Sequence, residues 1–153
     1  MQKGIVEYIE SLYIFDGLRG NELAFTANLM EIKYFQKDDI IFKEGDKGDS
    51  VCFVIEGILE VIKNNTAGKN VVIAEFSKGH SIGEMALIDS YPRSATVKAR
   101  TGGYLVKLTK QKFETILQER PGTGIKILKG IARLVSLNLR RTSGHLAEVL
   151  SSS

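Results

Sequence analysis

The stretch from Gly79 to Val97, GHSIGEMALIDSYPRSATV, holds the residues best suited to chemistry. Gly83-Glu84-Met85-Ala86-Leu87 reads as a single helical turn entered through a glycine. The free amides and positive dipole end of such a turn suit an anion, and a glycine lets a ligand approach the backbone. Arg93 follows Glu84 by nine residues, after a Tyr91-Pro92 corner, so its guanidinium fork could reach the same anion. Glu84 would repel a bare phosphate. A carboxylate there makes sense if it accepts a hydrogen bond from a neighbouring hydroxyl, such as a ribose 2′-OH. One acid, one base and a turn start together suggest a phosphate attached to a sugar, although by spacing alone a first-turn Glu is more often a dipole partner and an Arg after a proline more often simply exposed.

The elements that must position these groups run helix, many short strands, then helix. Ile5, Ile9 and Leu12 recur at helical spacing before an Asp16-Gly17 break. Asn21 is expected to cap a second short helix that runs to Met30. The period then changes. Residues Glu31–Phe35, Asp39–Phe42, Val51–Glu56, Ile58–Lys63, Val71–Phe76, Ala95–Ala99 and Tyr104–Leu108 are short runs rich in Val, Ile, Phe and Tyr. Turn glycines such as Gly45, Gly57 and Gly79 separate them. Short, evenly spaced strands predict an antiparallel sandwich, jelly roll or barrel rather than a βαβ fold. Thr109 opens another helix with Phe113, Ile116 and Leu117 on one side, and Pro121-Gly122 closes it. A long helical pattern follows from about Gly124 to Leu150.

Composition narrows the function classes. Apolar residues at 43% and charged residues at 25% of 153 describe an ordinary globular chain, not a disordered or supercharged one. No apolar run approaches the ~18 residues of a membrane span, and the N-terminus lacks a basic-then-apolar leader. The single cysteine, Cys52, cannot form an internal disulfide or by itself hold zinc or an iron–sulfur cluster, and His80 and His145 are the only histidines. A cytoplasmic protein without a metal is therefore expected. The net charge of +3 hides an asymmetry: residues 1–92 carry nine Lys/Arg against fifteen Asp/Glu, and residues 93–153 carry twelve against three. A basic half could attract an anionic partner, or it could simply be the solvated face of a helix.

The strings GEMAL and PRSAT give the segment a resemblance to the phosphate-binding cassette of the cyclic nucleotide-binding domain family. That family includes protein kinase A regulatory subunits, gated channels and Crp/Fnr-like regulators. The run IIFKEGDKGDSVCFVIEGILEV over Ile40–Val61 and KFETILQERP over Lys112–Pro121 resemble the family's β-roll and flanking helix. The resemblance implies a mainly β fold, an antiparallel β-roll or jelly roll with N-terminal helices and a long C-terminal helix. It implies one domain over residues 1–153, with helices over about 1–30, the roll over 31–108 and C-terminal helices over 109–150. The ligand would be cAMP or cGMP, and the site would comprise Gly83, Glu84, Met85, Ala86, Arg93, Ser94 and Ala95. Glu84 would bind the ribose 2′-OH beside the Gly83 backbone. Arg93 would pair with the cyclic phosphate, helped by the amides of Ala86 and Ser94. Ser94 leaves the base open, since its hydroxyl could contact phosphate or a guanine amino group; analogy with bacterial relatives favours cAMP. Candidate base contacts are Val72, Asn138, Arg141 and Thr142, although Val71, Val72 and Ile73 read better as simple core strand, and Thr96 as a strand residue.

The long helix carries two stripes. Ile125, Leu128, Ala132, Val135, Leu139, Thr142, Leu146 and Val149 step by three and four, the pattern of a coiled-coil seam that predicts a homodimer. Ile127, Ile131 and Leu134 form a second stripe that predicts packing on the roll. Asn138 could cap a purine or fix the register of the seam. Gly130 and Gly144 each cost helix propensity, and Gly144 could end the helix early. In the family such a helix closes over the base. The expected function is thus a non-enzymatic cyclic nucleotide sensor that signals through its C-terminal helices. With no DNA-binding helix-turn-helix and no kinase, channel or cyclase segment in the sequence, the expected output is an effector protein in trans. No sequence-specific DNA binding and no membrane are expected. The alternative is a Crp/Fnr-like regulatory subunit that senses another effector or works with a separate DNA-binding partner. A cupin-like catalyst would need several histidines on its strands, and the two here lie far apart.

Overall fold

The computed structural model describes residues 2–152. Eight strands, β1 (Glu31–Phe35), β2 (Ile40–Phe42), β3 (Ser50–Glu56), β4 (Leu59–Asn64), β5 (Asn70–Phe76), β6 (Ser81–Ile82), β7 (Thr96–Ala99) and β8 (Gly103–Thr109), form two four-stranded sheets. Their orders are β1-β8-β3-β6 and β2-β7-β4-β5, and every pairing is antiparallel. The helices are α1 (Gln2–Ile9), α2 (Gly20–Asn28), α3 (Lys110–Glu119) and α4 (Pro121–Ser151), with a 3₁₀ turn at Tyr13–Phe15. This is the expected β-roll with helices before it and a long helix after it. The two-residue β6 is too short to leave a periodic signal in the sequence.

Two apolar clusters hold the layers. Between the sheets lie Phe35, Cys52, Val54, Leu59, Val97 and Leu105. On the other face of β3 and β8, Phe53, Val106 and Leu108 meet Ile9, Phe15, Phe113 and Ile127 from the helices. Residues Ser50 to Ile55 of β3 are therefore buried on both faces, which is why Val51 to Ile55 are continuously apolar rather than alternating.

The helix ends differ from expectation at three points. Asn21 does not cap α2 but lies inside it; the N-cap is Arg19, whose backbone N–H donates to Glu22 Oε1 at 3.0 Å. A Glu at the third helical position reaches back to the cap and starts the helix a residue or two earlier. α4 begins at Pro121, where a missing N–H costs nothing, so only Arg120 (φ −137°, ψ 67°) separates it from α3. Gly144 does not stop α4, which continues to Ser151.

Two contacts seat the first half of α4. Thr123 Oγ1 and Lys126 Nζ donate to the two oxygens of Glu22 at 3.0 and 2.8 Å. Further along, Gly130 packs so closely that a Cβ there would lie 2.0 Å from the Ile14 carbonyl oxygen. Gly130 is thus needed for the approach of two backbones, whereas Gly144 faces open space.

The bond from Lys126, followed by the Arg19 amide, lowers the Glu22 carboxyl from 4.5 to about 2. A depressed carboxylate contributes stability above its unfolded value, and that contribution disappears as pH falls from 4.5 towards 2. Glu22→Gln is expected to destabilise the protein by about 1–2 kcal/mol at neutral pH. It should also flatten the acid limb of the stability curve, as measured by urea unfolding at a series of pH values.

Candidate functional site

The segment after β6 folds as the sequence suggests. Gly83 takes a left-handed conformation (φ 77°, ψ 29°) and leads into a 3₁₀ turn over Glu84–Leu87. The Ala86 amide is not free: it donates to the Gly83 carbonyl at 2.9 Å inside this turn. Ser81 Oγ donates to Glu84 Oε2 at 3.3 Å, so the carboxylate is oriented by its own strand.

Arg93 is built into the fold. Its Nη2 donates to the Ser50 carbonyl at 2.8 Å and to Ser50 Oγ at 3.2 Å. Its guanidinium carbon sits 3.8 Å above the centre of the Phe42 ring, a cation–π arrangement. A Cβ on Gly83 would fall 2.0 Å from Arg93 Nη1, so only glycine leaves room for the guanidinium. Burial lowers the arginine pKa, opposed by the nearby negative charges of Asp49 and Asp46. Arg93 Nε is buried and has no hydrogen-bond partner among the described residues. The site thus holds a charged donor whose buried Nε–H is unmatched among the described residues.

The backbone around Arg93 is clamped by the loop after β2. Gly45 N donates to the Arg93 carbonyl at 2.8 Å, and Arg93 N donates to the Asp46 carbonyl at 2.7 Å. Thr96 is more than a strand residue, because its Oγ1 accepts from the Glu44 amide at 3.0 Å. A Cβ on Gly48 would lie 2.7 Å from the Tyr91 carbonyl oxygen, so this loop also depends on a close approach.

These groups open on a cavity of about 340 Å³ between the two sheets and α4. Gly83, Glu84, Arg93, Ser94 and Ala95 line one side, and Leu134, Asn138 and Arg141 of α4 line another. On α4 those three positions continue the face of the buried Ile127 and Ile131, at the i, i+4, i+7 spacing of one helix side. Phe76 and His80 stand on the wall with their ring centroids 5.4 Å apart. His80 Nδ1 accepts from the Ser77 amide at 2.9 Å, which leaves Nε2–H as its donor when neutral.

The cavity thus brings together a carboxylate, a half-buried guanidinium and one face of α4. The sequence profile of the cyclic nucleotide-binding domain matches residues 32–120. This chain belongs to the cyclic nucleotide-binding domain family. A cyclic nucleotide-binding domain from Methylobacillus flagellatus is 25% identical with a TM-score of 0.84, covering 96% of this chain and 83% of that one. The N-terminal domain of a transcriptional regulator from Streptomyces coelicolor is 27% identical at a TM-score of 0.77, covering 91% and 94%. The regulatory domain of Toxoplasma gondii protein kinase A with cAMP is 25% identical at 0.68, covering 75% and 44%. Among curated proteins, a lysophospholipase from Aspergillus oryzae is 32% identical over 114 residues, 72% of this chain. The chain spans only 7% of that enzyme's length.

Not every expected residue of the cyclic nucleotide-binding domain reaches the cavity. Met85 and Ala86 face an adjoining cleft of about 300 Å³, whose walls include Gly83, Glu84, Arg93 and Ser94 as well. Val71, Val72 and Ile73 lie exposed on the edge strand β5, so they are not core strand, and Thr142 is exposed on α4; neither Val72 nor Thr142 lines the cavity. Sequence reasoning missed Phe42 and Ser50, the ring and the acceptors that hold Arg93, and Tyr13 and His80 on the wall. Nothing in an ordinary Phe or Ser announces such a role. The glycine count around the cassette was the available signal.

Gly83→Ala is expected to cost about 1–3 kcal/mol, because it places a side chain in the left-handed region and against the guanidinium. Urea unfolding would measure the loss, and the Arg93 side-chain NMR signals should shift.

Proposed function

We propose that this domain is a non-enzymatic cyclic nucleotide sensor that takes cAMP, or else cGMP, between Arg93 and α4. The observation that carries this reading is the single cavity shared by Glu84, Arg93 and the α4 residues Leu134, Asn138 and Arg141. A cyclic phosphate would supply the acceptor that the buried Arg93 Nε lacks. Glu84, steadied by Ser81, would accept the ribose 2′-OH. Asn138 and Arg141 would meet the base from α4, so occupancy would favour one seating of that helix and signal by population shift. The cAMP in the Toxoplasma structure supports cAMP as the first ligand to try. The lysophospholipase reaction does not transfer, since only 7% of that enzyme is matched. The chain's described helices include none long and apolar enough to cross a membrane, and we place the sensor in the cytoplasm.

Removing one partner of a desolvated, hydrogen-bonded charge pair costs about 2–5 kcal/mol, so Arg93→Ala should weaken nucleotide binding by roughly thirty-fold to several thousand-fold. Arg93→Lys should recover little, because a point charge does not reproduce the fork. Glu84→Ala should cost less but erase the preference for cAMP over its 2′-deoxy analogue. Calorimetry with cAMP, cGMP and 5′-AMP is the measurement, with circular dichroism as the folding control. Unchanged affinity in folded Arg93→Ala would overturn the reading.

We also propose that α4 holds a homodimer. Ile125, Leu139, Leu146 and Val149 of the seam stripe are 50%, 65%, 55% and 51% exposed, so this chain does not itself cover them. Leu139→Asp combined with Leu146→Asp would set like charges across that seam and should give a folded monomer by sedimentation. A wild type already monomeric at tens of micromolar would refute the seam.

A further inference from the structure

β5 is the outer strand of its sheet and pairs on one side with β4. Val71, Val72 and Ile73 in its middle are 41%, 52% and 57% exposed. Val71 stands opposite Lys63 and Val72 opposite Ile62, and successive side chains point to opposite faces, so both faces of this edge carry open apolar surface. β5 contains no proline and no lysine, the residues that commonly guard an exposed edge. Its guard is a bulge at Ile73, where the register with β4 slips by one. The backbone of the edge is open as well. Asn65 N donates to the Lys69 carbonyl at 2.8 Å, so the Lys69 backbone turns towards β4. By the alternation of an antiparallel ladder Val71 does the same, and Asn70 and Val72 direct their N–H and C=O groups outward.

An open edge takes an added strand, and the sequence of this one fits a second copy of itself. In a two-fold antiparallel pair centred on Val72, each Val72 faces its own copy and the two exchange backbone hydrogen bonds. Val71 then faces Ile73 of the second copy and Lys69 faces its Glu75, each twice by symmetry. Apolar residues meet one another, and opposite charges meet at the ends. Centring on Val71 instead would set Lys69 against Ile73, and centring on Ile73 would set Val71 against Glu75. Among the described residues Lys69 has no carboxylate within salt-bridge distance, and Glu75 bonds Arg100 through Oε2 only.

We infer that β5 is a self-association edge, on which a second copy of this chain adds its own β5 in antiparallel register about Val72. The inference rests neither on the nucleotide reading nor on the α4 seam. Facing residues of a hydrogen-bonded pair have Cα atoms about 5.5 Å apart, within reach of a disulfide. Val72→Cys should therefore cross-link to itself under oxidised glutathione about tenfold or more faster than Thr66→Cys, an exposed site in the turn between β4 and β5. The native Cys52 is buried and does not compete. Adding Lys69→Glu sets like charges opposite one another and should slow the Val72→Cys cross-link, and adding Glu75→Lys to that chain should restore it. The cross-link should persist beside Leu139→Asp and Leu146→Asp. In ¹H–¹⁵N spectra of the unaltered chain, the amides of Asn70 and Val72 should shift with protein concentration, a reading independent of how any variant folds. Cross-linking no faster than that of Thr66→Cys, indifference to the charge swap, loss with the α4 substitutions, or Asn70 and Val72 amides unmoved by concentration would each overturn the proposal.

Discussion

A guanidinium withdrawn from water needs acceptors at its edge, a flat surface at its face and empty space beside it, and the fold around Arg93 supplies all three. The acceptors are the two oxygens of Ser50 on β3. The flat surface is Phe42 on β2, and the space is the missing side chain of Gly83. These come from both sheets and from the turn after β6, so the arginine is a point where otherwise separate parts of the roll are held together. The side chain is thus oriented by the fold itself, and a ligand bound there would meet a lower ordering cost. The same placement leaves Nε without a partner, a local defect of the kind that folded proteins retain where a ligand can complete it.

The other half of the cavity is built by a helix whose position is fixed from its far end. Glu22 reaches across from α2 to Thr123 and Lys126, and Gly130 sets α4 against the carbonyl of Ile14. Beyond Ile131 the contacts thin out: Leu134 is half-buried, while Asn138 and Arg141 are exposed although they stand over the cavity. The helix is therefore anchored by packing where it leaves α3 and held weakly where it faces the site. That gradient suits a segment whose seating responds to what fills the cavity.

Much of the roll was legible because its strands are short, β-branched and separated by glycines, and the cassette was legible because two rare features, a Gly-Glu turn and an Arg after a proline corner, stand close together. What escaped were interactions whose partners are distant in the chain. Glu22 reads as a first-turn acid, yet its partners lie 101 and 104 residues away. Gly130 and Gly144 are indistinguishable by propensity, and only the packing of Ile14 tells them apart. Asn21 looks like a helix cap, but Glu22 captures the Arg19 amide first. The exposed Val72 shows the converse error, since an apolar residue in a strand near the cassette need not face the cavity.

The contact between Gly130 and Ile14 gives α4 a fulcrum. Because no side chain intervenes, the two backbones approach closely there, and a tilt of the helix about that spot would separate them least. Asn138 lies eight residues past that pivot and Glu148 eighteen, or about 12 and 27 Å at 1.5 Å per residue. A tilt about that spot would displace the end of the helix a little more than twice as far as the stretch over the cavity. Leu146 and Val149, the exposed residues proposed for a dimer seam, sit on that longer arm.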